Sequence, residues 1–177
     1  FLPWRSEFLR AARDVGYPYS VQMSLGIDEF LQLPPKLSDG GCVLLSRVPL
    51  LESDSIAYRR HGPGLKEALL GRGVLYAKVA LPSSDQFLHV FNTELQPGDT
   101  SELHHARMKQ VAELRAFIHH KTKHDTHGIL ICGSLNINAR RTPEDPSDSA
   151  EWLETLGHLN SQLPSAIPGS PPLYPPQ

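Results

Sequence analysis

Two runs rich in β-branched and aromatic residues, RGVLYAKVAL (Arg72 to Leu81) and QFLHVFNTEL (Gln86 to Leu95), stand on either side of a four-residue link, PSSD. Such side chains suit a pleated surface, and a link of that length lets a chain double back on itself. The sequence therefore predicts an antiparallel hairpin. Any fold for this chain has to contain it.

The flanking segments alternate between helical and extended patterns. FLPWRSEFLRAARDVGYPYS predicts an opening helix with Trp4, Phe8, Ala11, Ala12 and Val15 on one stripe, Pro3 in its first turn and Gly16 at its stop. Tyr19 to Leu25 reads as a strand and LPPKLSDGG as a break in regular structure. Cys42 to Ser46 is a short apolar run, and Asp54 to Arg59 a strand closed by HGPG. Past the hairpin, Ser101 to Lys121 has a helical period, about 30 Å if continuous, with Leu103, Val111, Leu114, Phe117 and Ile118 as its apolar stripe. Gly128 to Cys132 reads as a buried strand and Ser147 to Leu156 as a short last helix. Short strands with interspersed helices imply a layered α/β or α+β domain with a mixed sheet. No strand precedes the opening helix, so a central first strand, if the domain needs one, is expected outside these residues. Residues 159–177 are dense in proline and cannot pair in a sheet, which predicts an extended or disordered tail after a single domain over residues 1–158.

With 177 residues and 40% hydrophobic content the chain can build one core. Its 17 Lys plus Arg against 19 Asp plus Glu leave no positive field to gather a long polyanion, which disfavours nucleic acid as a partner. No apolar run approaches the roughly 20 residues that span a bilayer. Cys42 and Cys132 each sit inside an apolar run, where a packed, reduced thiol is expected, with a disulfide or redox pair as the alternative.

Three places carry side chains suited to chemistry, and each has a structural alternative. In ICGSLNINAR, Ser134, Asn136 and Asn138 fall on one side if the strand continues; a strand running into a turn would use the same residue types. NTELQ places Asn92, Glu94 and Gln96 opposite Thr93 and Leu95, where Glu94 also reads as a solvated edge charge. On the long helix, Arg107 and Gln110 fall within about 40° of Leu103 and Leu114, amid the apolar stripe. Buried there, they need partners: backbone, each other, or a site at the sheet end. His104, His105, His119, His120, His124 and His127 crowd one region, and His120 with His124 has the helical spacing of two metal ligands. They lack a companion carboxylate or cysteine motif, so a polar helix end with its loop is the simpler reading.

Taken in order, DGGCVLLSRVPLLES, GRGVLYAKV, FLHVFNTELQ, the helix with Arg107 and Gln110, and ILICGSLNINA resemble the endonuclease/exonuclease/phosphatase superfamily, in particular its neutral sphingomyelinase branch. The resemblance covers about residues 39 to 140. It implies a four-layered α/β/β/α sandwich and metal-dependent hydrolysis of phosphoesters, usually with magnesium. For an active member it also implies a phospholipid or small phosphoester substrate and contact with a membrane surface. The metal would polarise the phosphoryl group while a carboxylate readies the attacking water and a histidine supports the developing charge.

Position by position, the family's Gly-Asp-x-Asn falls on Gly133, Ser134, Leu135 and Asn136, so Asn136 is retained to hold a phosphoryl oxygen while Ser134 stands for the aspartate. A hydroxyl cannot replace a carboxylate in deprotonating water, a role worth roughly 10²–10⁴ in rate. The family's Thr-His-Leu falls on Thr93, Glu94 and Leu95, putting an acid where a phosphate donor belongs. Arg107, Gln110 and Asn138 would be supporting residues. The family's early Asn strand, its Gln-Glu metal ligand and its closing Asp-His pair have no counterpart here, so the sandwich is expected to be incomplete. No Gly-x-Ser-x-Gly elbow makes Ser134 a nucleophile. The sequence thus implies a phosphodiesterase-family domain impaired in hydrolysis, or a noncatalytic binding or scaffold module descended from one.

Overall fold

The computed structural model describes residues 3–23, 35–36, 38–82, 84–139 and 149–160. They fall into two compact units, Phe1–Asn136 and Ile137–Gln177. In the first, the elements are α1 (Pro3–Asp14), β1 (Tyr19–Gln22), β2 (Ser38–Asp39), β3 (Val43–Ser46), β4 (Leu50–Ala57), α2 (Leu65–Leu69), β5 (Leu70–Gly71), β6 (Gly73–Ala80), β7 (Phe87–Glu94), α3 (Ser101–Thr122) and β8 (Gly128–Ser134). The second contains α4 (Ala150–Asn160). Serine opens α4: Ser149 Oγ accepts from Trp152 N at 3.2 Å and donates to the Asn138 carbonyl at 2.6 Å.

The hairpin is present as β6 and β7, antiparallel from Val74↔Thr93 to Ala80↔Phe87. It is the centre of a four-stranded sheet in the order β4-β6-β7-β8, with β8 parallel to β7. The period of two sends the hairpin's side chains to two faces. Tyr76 and Phe91 meet Phe117 of α3 edge-on at 6.3 and 6.0 Å. On the other face Leu75 and Ala77 pack with Val21, Met23 and Leu44, the first and last of which belong to the antiparallel pair β1-β3. Helix, sheet and second sheet are thereby layered, the α/β sandwich arrangement that the sequence implied.

The long helix follows its period over most of its length: Val111, Leu114, Phe117 and Ile118 are buried and Leu103 is half-buried, and Thr100 caps it by accepting from Leu103 N. Among the described residues no helix is long and apolar enough to cross a membrane.

Several expectations need correction. In α1 the buried residues are Leu9 and Ala12, while Phe8 and Val15 are 44% and 69% exposed. Arg5 lies on the same side as Leu9 and Ala12, and its guanidinium grips Asp39, including Nη2 to Oδ1 at 2.8 Å, so an ion pair takes part in the covered face that the apolar stripe was expected to form alone. Strand β1 ends at Gln22, and the expected continuation to Leu25 lies outside the described residues. The segment LPPKLSDGG is not wholly irregular, since Ser38–Asp39 pairs in parallel with Leu70–Gly71. Strand β4 starts at Leu50 and stops at Ala57, two residues short of Arg59.

Strand β8 is not a buried strand: it is the outermost strand of its sheet, Leu130 is 47% exposed, and Cys132 and Ser134 are exposed. An apolar run reports one covered face as readily as two. Cys132 is therefore not a core thiol; Cys42 is half-buried, and both are free. The last helix starts and ends later than the sequence suggested, at Ala150 and Asn160. The first two residues of the expected tail, Leu159 and Asn160, belong to this helix, and residues 161–177 lie outside the described residues.

Candidate functional site

Parallel pairing sets the candidate residues side by side. Register places Asn92 opposite Cys132, Thr93 opposite Gly133 and Glu94 opposite Ser134. The ladder runs one step further, Leu95 N donating to Ser134 O at 2.9 Å. Gly133 is required here: its φ is +112°, and a Cβ would stand 2.0 Å from the Thr93 carbonyl. Ser134 then ends the strand with its side chain exposed.

The chain does not continue as a strand through Asn138. Asn136 adopts φ 53°, the left-handed conformation that Asn tolerates, and its Nδ2 donates to the Leu95 carbonyl at 2.6 Å. The expected alternation of Ser134, Asn136 and Asn138 is thereby broken: the turn aims Asn136 back at β7 and fixes one amide N–H of the group expected to hold a phosphoryl oxygen. Asn138 belongs to the second unit.

Glu94 does not stand alone as an edge charge. Its Oε1 lies 3.8 Å from Nε of Arg72. The Arg72 Nη1 donates to the Glu67 carboxylate, whose Oε2 also accepts from Gln96 Nε2 at 2.8 Å. Gln96, past the end of β7, thus rejoins Glu94 through Glu67 and Arg72. Its Oε1 accepts from Gly62 N at 2.8 Å. Burial pushes the Glu67 carboxyl up, but hydrogen bonds from Gln96 and Arg72 and the guanidinium charge outweigh it and hold Glu67 below the usual range. Burial also pushes the Cys42 thiol up, with the charges of Glu94 and Asp39 adding to it, to about 11. At neutral pH it is a protonated thiol, not a metal-binding thiolate.

Arg107 and Gln110 both find backbone partners. Arg107 is 2% exposed and donates to the carbonyls of Gln96 and Gly98. Gln110 accepts from Gln96 N and donates to Arg60 O, both at 2.8 Å. They hold two loops behind the strand ends and touch neither Glu94 nor Ser134 in these bonds. Deeper still, Thr93 Oγ1 donates to Gly73 O at 2.9 Å, which leaves Tyr58 OH as donor to Thr93. The histidine pair fails as a helical motif, because α3 ends at Thr122, before His124.

Beside the strand ends lies a cavity of about 420 Å³ lined by Val43, Leu45, Ser46, Val90, Asn92 and Cys132, among others. Sequence reading missed Arg72 and Glu67 altogether. The one available signal was a charge at the mouth of an otherwise apolar strand, and Arg72 was absorbed into the strand instead.

Among the described residues, the donor set at these strand ends does not fit a resident magnesium ion. Magnesium wants hard, anionic oxygens in near-octahedral array, and the two carboxylates nearest the strand ends both face one guanidinium. Among the described residues no group of three or more His, Cys, Asp or Glu side chains is disposed to hold a metal ion.

No family model matches the chain. Over 159 residues it is 30% identical to a sphingomyelinase of Dictyostelium discoideum, covering 75% of this chain and 34% of that one. It therefore spans about a third of the length of that curated relative. The fold superposes on sphingomyelinase C from Streptomyces griseocarneus with a TM-score of 0.63 at 18% identity, over 89% of this chain and 53% of that one. A beta toxin mutant from Staphylococcus aureus, solved with bound magnesium ions, matches with a TM-score of 0.64 at 22% identity, over 88% of this chain and 53% of that one.

Proposed function

The chain belongs to the sphingomyelinase-like branch of the endonuclease/exonuclease/phosphatase superfamily, and from that premise we propose that it is a phosphodiesterase-fold domain impaired in the hydrolytic step. The observation that carries this is Ser134 beside Glu94 at the paired ends of β8 and β7, with Glu94 facing Arg72. Hydrolysis of a phosphoester needs a base to ready water and positive charge for the developing anion. A serine hydroxyl supplies no base at neutral pH. Glu94 carries a negative charge, which repels a phosphoryl group. Asn136 can still donate to an oxygen of the ester through the amide hydrogen that Leu95 does not take.

The class of ester is a phospholipid rather than a nucleotide. Two features support this: the chain's net charge of -2, and the aliphatic side chains Val43, Leu44, Leu45, Val79 and Val90 in the lining of the cavity beside the strand ends. A second reading, a noncatalytic binding or scaffold module, is favoured by the same Arg72 contact, because it balances Glu94 instead of leaving it available.

The test is release of phosphocholine from sphingomyelin vesicles by the purified chain, with magnesium and with chelator. Equal, background release in both is expected. Magnesium-dependent turnover would overturn the impaired reading, and binding to the vesicles without turnover would favour the binding module.

A further inference from the structure

Arg72, the residue before β6, is only 9% exposed, yet its Nε makes no hydrogen bond. The guanidinium cannot shed its proton to escape burial, so it depends on anionic neighbours. Two are present in unequal geometry: Glu67 in direct hydrogen bond to Nη1, and Glu94 at 3.8 Å from Nε, within ion-pair range but beyond a hydrogen bond. Gln96 fixes the Glu67 carboxylate from a second side. The planar fork of a guanidinium suits this arrangement, since each edge can address a different carboxylate.

We propose that Arg72 is the resident cation of this site: its guanidinium occupies the Glu67 and Glu94 pair and thereby closes the strand ends to a divalent metal ion. The proposal rests on the reading of the site as an impaired phosphodiesterase centre and goes beyond it by naming the cation that the two acids hold. A divalent ion brought to the same carboxylates would meet a fixed positive charge at close range, well inside the distance over which salt screens repulsion. To bind, it would have to displace a side chain that has no other anion among the ion pairs of the described residues. Glu94, the looser partner, is retained as counter-charge.

Manganese(II), followed by the electron paramagnetic resonance of the free ion, is the probe. The wild-type chain should show no saturable binding up to about 1 mM, the weak end of protein sites for such cations. Arg72→Gln removes the charge and leaves two carboxylates facing one another, and it should bind at least about tenfold more tightly than wild type, a gain that adding Glu94→Gln abolishes. Arg72→Lys keeps the charge and should stay closed.

Saturable wild-type binding that Glu94→Gln removes would overturn the proposal. So would an Arg72→Gln chain of unchanged circular dichroism that gains nothing, or an Arg72→Lys chain that binds. If Arg72→Gln does not fold, the wild-type and Arg72→Lys titrations still decide. Magnesium-dependent phosphocholine release would overturn the reading of the function, whereas no manganese gain in an inactive chain overturns this proposal alone.

Discussion

In the first half of β7, His89 has both ring nitrogens engaged: Nε2 hydrogen-bonds the Asp125 carboxylate at 2.8 Å and Nδ1 the Tyr76 hydroxyl at 2.9 Å. At the end of the same strand, Glu94 stands 3.8 Å from an Arg72 Nε that has no hydrogen bond. Both clusters set an acid against a nitrogen base beside the same hairpin. The first is closed around His89: Asp125 also accepts from His127 N at 3.0 Å and pairs with Lys78 at 3.4 Å, while His127 stacks on Phe87 and leaves only its own Nδ1 buried without a hydrogen bond. The second shares one cation between two acids at an exposed strand end. On the proposed function, the difference separates a polar group that helps to fix the fold from one kept at a site that has lost its hydrolytic partners. Buried polar groups must be satisfied for the fold to persist, whereas a strand end open to water tolerates imbalance.

The largest effect should come from the closed cluster. His89 is fully buried, and His89→Ala would leave a cavity together with an Asp125 carboxylate and a Tyr76 hydroxyl stripped of their partner. A loss of about 3–5 kcal/mol in urea unfolding is expected. A loss below about 1 kcal/mol would mean that water or Lys78 replaces the ring and that the cluster is not closed after all.

Acid should then separate the two ends. Burial alone would raise the Asp125 pKa, but hydrogen bonds from His89 and the backbone of His127, with Lys78 nearby, bring it down to about 2. A carboxyl lower in the folded chain than its ordinary 3.8 stabilises the fold above that value and loses the contribution as pH falls from about 4 towards 2. Stability of the wild type should fall through that window, and Asp125→Asn should flatten the fall. An equally steep fall in Asp125→Asn would assign the acid sensitivity to other carboxylates, Glu67 first among them.

These ends also differ in how far the sequence disclosed them. The hairpin was legible because period-two patterning is local, and the long helix because Val111, Leu114, Phe117 and Ile118 recur along one stripe. That Arg107 and Gln110 needed partners was legible from their place on that stripe; that the partners are loop carbonyls was not. Ser134 and Glu94 were found by resemblance, and their adjacency follows from parallel pairing that no local pattern encodes. The Arg72 contact joins a strand mouth to α2 and to the end of β7, and the His89 bond reaches across to Asp125; both need the tertiary fold. Strand β8 misled because a run of apolar residues does not say whether its second face is covered. The α1 stripe misled because its covered face includes an ion pair to a residue distant in sequence, Arg5 with Asp39, which no helical period reveals.

The smallest effect belongs to Glu94→Gln, and its smallness is the sharpest test of the comparison. If the strand end is an imbalanced relic, removing the looser acid leaves Arg72 and Glu67 as a one-to-one pair, still tied by Gln96. The attraction forfeited acts over 3.8 Å at a side chain one-third exposed, and the repulsion between two carboxylates around one cation is relieved at the same time. Exposed ion pairs contribute about 0–1 kcal/mol, so Glu94→Gln should unfold within about 0.5 kcal/mol of wild type. The amide is also nearly the same size, so packing is not disturbed. A cost approaching that of His89→Ala would erase the distinction between the two ends: Glu94 would then be held by the fold's own need for it, and the replacement of the family's histidine would reflect stability instead of a lost catalytic step.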